Sequence, residues 1–99
     1  MTAAVESPIV RLRLYVAGGA QNSLAAVCNL QDICERFLPA RHQIELVDVL
    51  KEPKRALADG VLMTPMLVKL APLPVSKVVG SLSQTEVVLQ ALGLSALAA

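Results

Sequence analysis

Two alternating apolar runs, held apart by a single helical stretch, constrain this chain more than any other feature. Residues 9–16, IVRLRLYV, put Val10, Leu12, Leu14 and Val16 on one side and Arg11, Arg13 and Tyr15 on the other. Period-two alternation predicts a strand with one wet face. Residues 43–50, QIELVDVL, make a second strand. Between them, Leu24, Val27, Cys28, Leu30, Ile33, Cys34 and Phe37 form a broad apolar face over residues 24–37, with Gln31, Asp32, Glu35 and Arg36 mainly outside and Pro39 as the stop. A crossover helix of that length returns the chain to its starting end, so the strands are expected to run parallel with a right-handed crossover.

The rest of the chain adds short elements in a fixed order. Ala17-Gly18-Gly19-Ala20 releases the first strand, and Asn22 or Ser23 is placed to cap the helix. Pro53 suits the first turn of a short helix, KRALAD, with Gly60 at its exit. A third strand, MTPMLVKL, starts around Pro65, and SKVVG follows as a fourth after the turn Ala71-Pro72-Leu73-Pro74. Ser83-Gln84-Thr85-Glu86 has the form of a capping box, Val87 to Leu92 continue on helical spacing, and Gly93 suits a left-handed stop. The order β-α-β-α-β-β-α, with no shift of composition and no repeat, reads as one α/β domain over residues 1–99. That order, with Pro65 opening the third strand, is the thioredoxin plan, and the sheet expected from that plan is mixed and four-stranded, in strand order 2-1-3-4 with the second and fourth strands as edges.

Composition narrows the functions open to such a domain. The 99 residues are 55% hydrophobic, with 9 basic against 8 acidic residues and only 2% aromatics. Neither a basic excess nor stacking platforms speak for nucleic acid. The apolar stretch 61–79 is broken by Lys69, Lys77, Pro65, Pro72 and Pro74, which rules out a membrane span there. MTAAVESP has no basic start followed by an apolar run, so the expectation is a cytoplasmic protein. Cys28 and Cys34 lie six residues apart on one predicted helix, roughly 9 Å at ~1.5 Å rise per residue. A disulfide spans no more than about 7 Å, and both thiols are read as small buried hydrophobes.

Thioredoxins carry Cys-x-x-Cys at the turn into the first helix, where the helix N-terminus stabilises a thiolate. The corresponding stretch here, Ala20-Gln21-Asn22-Ser23, has no sulfur, which excludes dithiol exchange at that position. Ser23 is either a cap or first-turn residue or, as in glutathione transferases of this fold, a group that activates glutathione. Thr64-Pro65 supports the fold and says nothing of catalysis. His42 has no nucleophilic companion at a definable spacing and reads as a solvated loop residue. Asp48 stands in mid-strand, where it pairs locally or faces an edge or interface. No metal-ligand cluster and no cofactor are expected.

Several stretches together match one family. LRLYVAG (12–18), the Asn22-Ser23 helix start, LVDVLKEP (46–53), MTPMLVKL with Pro-x-Pro-Val (63–75), and Gly80-Ser81-Leu82-Ser83 resemble the KaiB family of circadian-clock proteins in order from Leu12 to Leu94. The resemblance implies a non-enzymatic adaptor that binds the hexameric ATPase KaiC and competes there with a histidine kinase. It also implies two alternative folds, a tetramer-forming ground state with a rearranged C-terminal half and a thioredoxin-like state. Residues tied to that choice are Thr64, Pro65, Pro72, Pro74, Ser83, Glu86, Ala91 and Gly93. The capping box and the helix-favouring Ala91, where cyanobacterial members have Gly, predict the thioredoxin-like state as monomer or dimer. The partner face is expected along the second strand and the 51–60 segment, at Glu45, Asp48, Lys51, Asp59 and Gly60. Glu45 and Gly60 both stand where cyanobacterial members carry Lys. Two other readings remain open: a glutathione-dependent enzyme using Ser23, Tyr15 or a monothiol, and a thioredoxin-like sensory domain of a histidine kinase.

Overall fold

A computed structural model describes residues 9–94. The stretch read for an export signal (1–8) and residues 95–99 lie outside the described residues. The chain order is β1 (Val10–Val16), α1 (Gln21–Phe37), β2 (His42–Asp48), α2 (Pro53–Ala58), β3 (Met66–Ala71), β4 (Ser76–Val79) and α3 (Thr85–Ala91). This is the β-α-β-α-β-β-α order expected from the sequence. The sheet runs β2-β1-β3-β4, with β1 and β2 parallel and the other pairs antiparallel.

Both faces of the sheet are covered at its centre. On one, Val10, Leu12, Leu14 and Val16 pack with Ala26, Leu30, Ile33 and Cys34 of α1 and with Val88 and Leu89 of α3. On the other, Tyr15, Val47, Met66 and Val68 pack beneath Val49 and Val61, which flank α2. Alternation places Tyr15 on the same face as Arg11 and Arg13, yet it is fully buried. The second layer overrides the period-two reading at the inner end of β1, while Arg11 at its outer end stays exposed.

Local differences from the sequence reading have local causes. Helix α1 begins at Gln21 with Ala20 as N-cap and no side-chain cap, so neither Asn22 nor Ser23 caps it. Its buried stripe is Ser23, Ala26, Leu30, Ile33 and Cys34. That rotation leaves Leu24 and Cys28 exposed rather than in the core. The predicted capping box is also absent: α3 has Gln84 at its N-cap and no side-chain hydrogen bond there, so Ser83 is not the cap and Glu86 falls in the first turn. The helix is secured at its other end instead. Gly93 at φ +80° lets its N–H reach Gln90 C=O at 3.1 Å and Leu94 N–H reach Leu89 C=O at 2.7 Å, the paired bonds of a Schellman stop.

Strand β2 starts at His42, not Gln43, and ends at Asp48, two residues before Leu50. His42 is therefore a strand residue, its Nδ1 2.7 Å from Leu38 C=O, and no solvated loop residue. Asp48 closes the strand because its C=O accepts from Lys51 and Glu52, which turns the chain toward α2. Pro53 opens α2 and Gly60, at φ +71°, follows its C-cap Asp59 as expected. The peptides Thr64–Pro65, Ala71–Pro72 and Leu73–Pro74 are cis.

Candidate functional site

The turn between β1 and α1 sits where thioredoxin-fold enzymes do chemistry, and its side chains here are spent on structure. Ser23 is buried, and its Oγ accepts a hydrogen bond from Ala17 N–H at 3.0 Å. Gly18 N–H and Leu50 N–H both donate to Asp48 Oδ1, at 3.1 and 2.9 Å, so one carboxylate ties the turn to the loop after β2. Asp48 thus pairs locally.

The geometry offers Ser23 no base. Ser23 is bonded at the Val16 end of β1, whereas His42 pairs with Val10 at the other end. Six strand steps at ~3.3 Å separate those ends by about 20 Å. Tyr15 is buried, with its hydroxyl 3.5 Å from an Arg13 nitrogen. Cys34 is buried, which pushes its thiol up to about 11, with the charge of Glu35 adding to the shift. Both cysteines are free, and among the described residues no group of His, Cys, Asp and Glu is arranged to hold a metal ion.

Two of the residues expected to face a partner, Glu45 and Asp59, meet on the sheet face opposite α1. Parallel register sets Arg13 of β1 beside Glu45 of β2, and Arg13 Nε donates to Glu45 Oε1 at 2.8 Å. Arg13 also reaches Asp59 at 3.2 Å, and Arg55 of α2 pairs with Glu45 and, at 3.5 Å, with Glu52. Hydrogen bonds from Arg13 and then Arg55 hold the Glu45 carboxyl below its ordinary value. The cluster is open to solvent, so its pairs contribute little to stability individually. What it does is tie α2 and its C-cap to β2 and β1. Glu45 and Asp59 are brought together through Arg13, while Lys51 stands exposed in the following turn and Gly60 supplies backbone shape only.

Sequence reasoning missed Arg13 and Arg55 as members of this cluster. Alternation had put Arg13 on the correct face, but only the register of two strands 32 residues apart makes Glu45 its partner. Leu50, Leu57, Leu62 and Met63 are exposed in α2 and the segments that flank it. Of the residues linked to the C-terminal half, Pro65 is buried at the entry to β3 and accepts from Gly80 N–H at 2.9 Å. Thr64 is half-buried, and Pro72 and Pro74 lie at the exposed β3–β4 turn.

Comparison with known proteins places these features in context. The KaiB domain family model matches residues 13–94. Circadian clock protein KaiB3 of Synechocystis is 37% identical over 83 residues, covering 84% of this chain and 81% of that protein. Circadian clock oscillator protein KaiB of Prochlorococcus marinus strain MIT 9313 is 45% identical over 83 residues, covering 84% and 70%. The same-named protein of Synechococcus elongatus is 43% identical over 83 residues, covering 84% and 81%. Among solved structures, the N-terminal domain of Synechococcus elongatus SasA superposes with a TM-score of 0.74 at 17% identity, covering 100% of this chain and 93% of that one. Chloroplastic thioredoxin z gives 0.72 at 16% identity, covering 89% and 80%. At those identities the two structures bear on the fold alone: it is thioredoxin-like.

Proposed function

The chain belongs to the KaiB family, and on that premise we propose that it is a non-enzymatic, cytoplasmic adaptor that binds a KaiC-type ATPase ring and competes there with a histidine kinase. The observation that carries this reading is the open edge of β2 with the adjoining 51–60 segment. An edge strand presents unpaired backbone groups, and a partner strand that adds to it gains main-chain hydrogen bonds with side-chain selectivity. Glu45, Lys51 and Asp59 flank the edge and set which partner is accepted. Family membership supports the identity of that partner, and the sulfur-free turn supports binding in place of redox chemistry. The glutathione-dependent alternative finds no support in the burial of Ser23 and Tyr15.

The test is an ATP-dependent pull-down against the KaiC-type ATPase of the source organism, with the wild type and a Glu45→Lys/Lys51→Glu/Asp59→Lys variant. Wild type is retained and the variant is retained at least about tenfold less, as expected when several interface charges are inverted together. Equal retention moves the partner face elsewhere. No retention of the wild type refutes the adaptor role toward such a ring.

A further inference from the structure

We propose, building on the reading of β2 as the partner-facing edge, that this edge receives an extended protein segment whose residues alternate between apolar and basic. The backbone settles which residues pair with it. Arg41 C=O accepts from Val10 N–H, and Val49 N–H donates to Val16 C=O at 2.8 Å, so odd-numbered residues turn their backbone groups to β1. In a parallel pair the intervening residues turn theirs away. Ile44 and Leu46 therefore direct N–H and C=O outward, and among the described residues no strand lies beyond them.

A strand added there projects successive side chains to opposite faces of the sheet. On the face that carries α1 they meet Leu46, which is 54% exposed. Beside it runs a groove of about 180 Å³ lined by Leu14, Val27, Leu30, Gln31, Ile44 and Leu46. Leu24, 57% exposed, continues the Val27–Gln31 stripe of α1 at helical spacing. Gln31 is the only polar group in that wall, so it takes aliphatic side chains.

On the other face the next side chain lies over Glu45, the only charged residue that β2 presents there between Gln43 and Val47. The arginines that bind Glu45 approach from behind it, Arg13 from β1 and Arg55 from α2, and Arg11 is one strand further in, across from Gln43. An acidic residue on the incoming strand would meet Glu45 head-on, and like charges directly opposite are destabilising. A lysine or arginine instead adds a cation to the carboxylates of Glu45 and Glu52, which share Arg55. Apolar on one face and basic on the other is the pattern this edge selects.

Fluorescein-labelled heptapeptides test it: one alternating Val and Lys, one alternating Val and Glu, and a Val/Lys peptide with a central Pro that cannot pair. Anisotropy titrations in about 0.1 M salt should show Val/Lys binding about three- to tenfold tighter than Val/Glu, from the spread of cross-strand charge energies. Glu45→Gln should bring the ratio near one without abolishing Val/Lys binding, and the central-Pro peptide should not bind. Amide NMR shifts should centre on Ile44 and Leu46. Equal or reversed charge preference, with shifts still at those amides, overturns the basic assignment and leaves the edge reading intact. Shifts on β4 instead, or no binding of either alternating peptide, overturn the proposal. Retention of the ATPase in the pull-down above then shows that the adaptor reading survives without it. Concentration-dependent shifts at Ile44 and Leu46 in the free protein would make a second copy the occupant and refute the proposal too.

Discussion

Replacing Ser23 by alanine removes an acceptor that the fold uses at a position where a related enzyme would keep a reactive group. The Oγ takes the Ala17 N–H at 3.0 Å, and the residue is only 2% exposed, so water has little room to substitute. Leaving a buried amide without a partner costs about 1–3 kcal/mol. Alanine returns roughly 0.5 kcal/mol through its better helix propensity. The net expectation is a loss of about 1–2 kcal/mol, which for a domain of this size lowers Tm by roughly 5–15 °C. Urea unfolding followed by circular dichroism reads it, with an unchanged m-value showing that the denatured state is the same. The neighbouring Leu24→Ala, at an exposed position, should change stability by less than about 0.5 kcal/mol. Edge-peptide binding by Ser23→Ala should match the wild type below the transition. A Ser23→Ala protein within about 0.3 kcal/mol of the wild type would refute the assignment of Ser23 as a structural acceptor and reopen it as a reactive group.

Three further outcomes follow from the same geometry. At pH 8 the native protein should expose a single fast-reacting thiol to a small aromatic disulfide reagent; Cys28→Ser should abolish it, and equal rates for both cysteines would contradict the burial of Cys34. Because the Cys34 thiol is raised to about 11 in the folded state, its stabilising share is complete below the unfolded thiol pKa of about 8.5 and is lost as pH rises toward 11, so stability should fall above roughly pH 9. Gly18→Ala should lose about 1–2 kcal/mol through its left-handed backbone, since Gly18 has φ +54° and a new Cβ would lie 3.2 Å from Leu50 Cδ1. Gly19→Ala, which meets nothing within 4 Å, serves as the control, and equal effects at the two positions would refute the argument.

The architecture was legible because each element announces itself locally. Alternation marks β1 and β2, helical spacing marks α1, and Pro53, Gly60 and Gly93 sit where helix ends want them, so the element order follows from local signals and the sheet order from the thioredoxin plan which that order matches. Family membership was legible for the same reason, as a run of short matches in order. Where local rules compete, the sequence misled. Ser83 and Glu86 have the spacing of a capping box, yet α3 starts one residue later and takes its security from the Gly93 stop. Ser23 has the chemistry of a cap, yet α1 already starts at Gln21, and its Oγ turns inward to accept from Ala17 N–H.

By itself, then, the sequence determined the elements, their order, the absence of thiols from the turn and the family. Tertiary structure alone decided which charges meet. Arg13, Glu45, Arg55 and Asp59 are spread over 47 residues, and nothing in their spacing pairs them. Parallel register between β1 and β2 brings the first two together, and the docking of α2 brings the others. Burial of Tyr15 and the outward aim of Ile44 and Leu46 were decided in the same way, by which layer covers which face and which side of β2 is left without a neighbour. Ion pairing and edge exposure are relations between distant segments, so they exist only once the chain has closed upon itself.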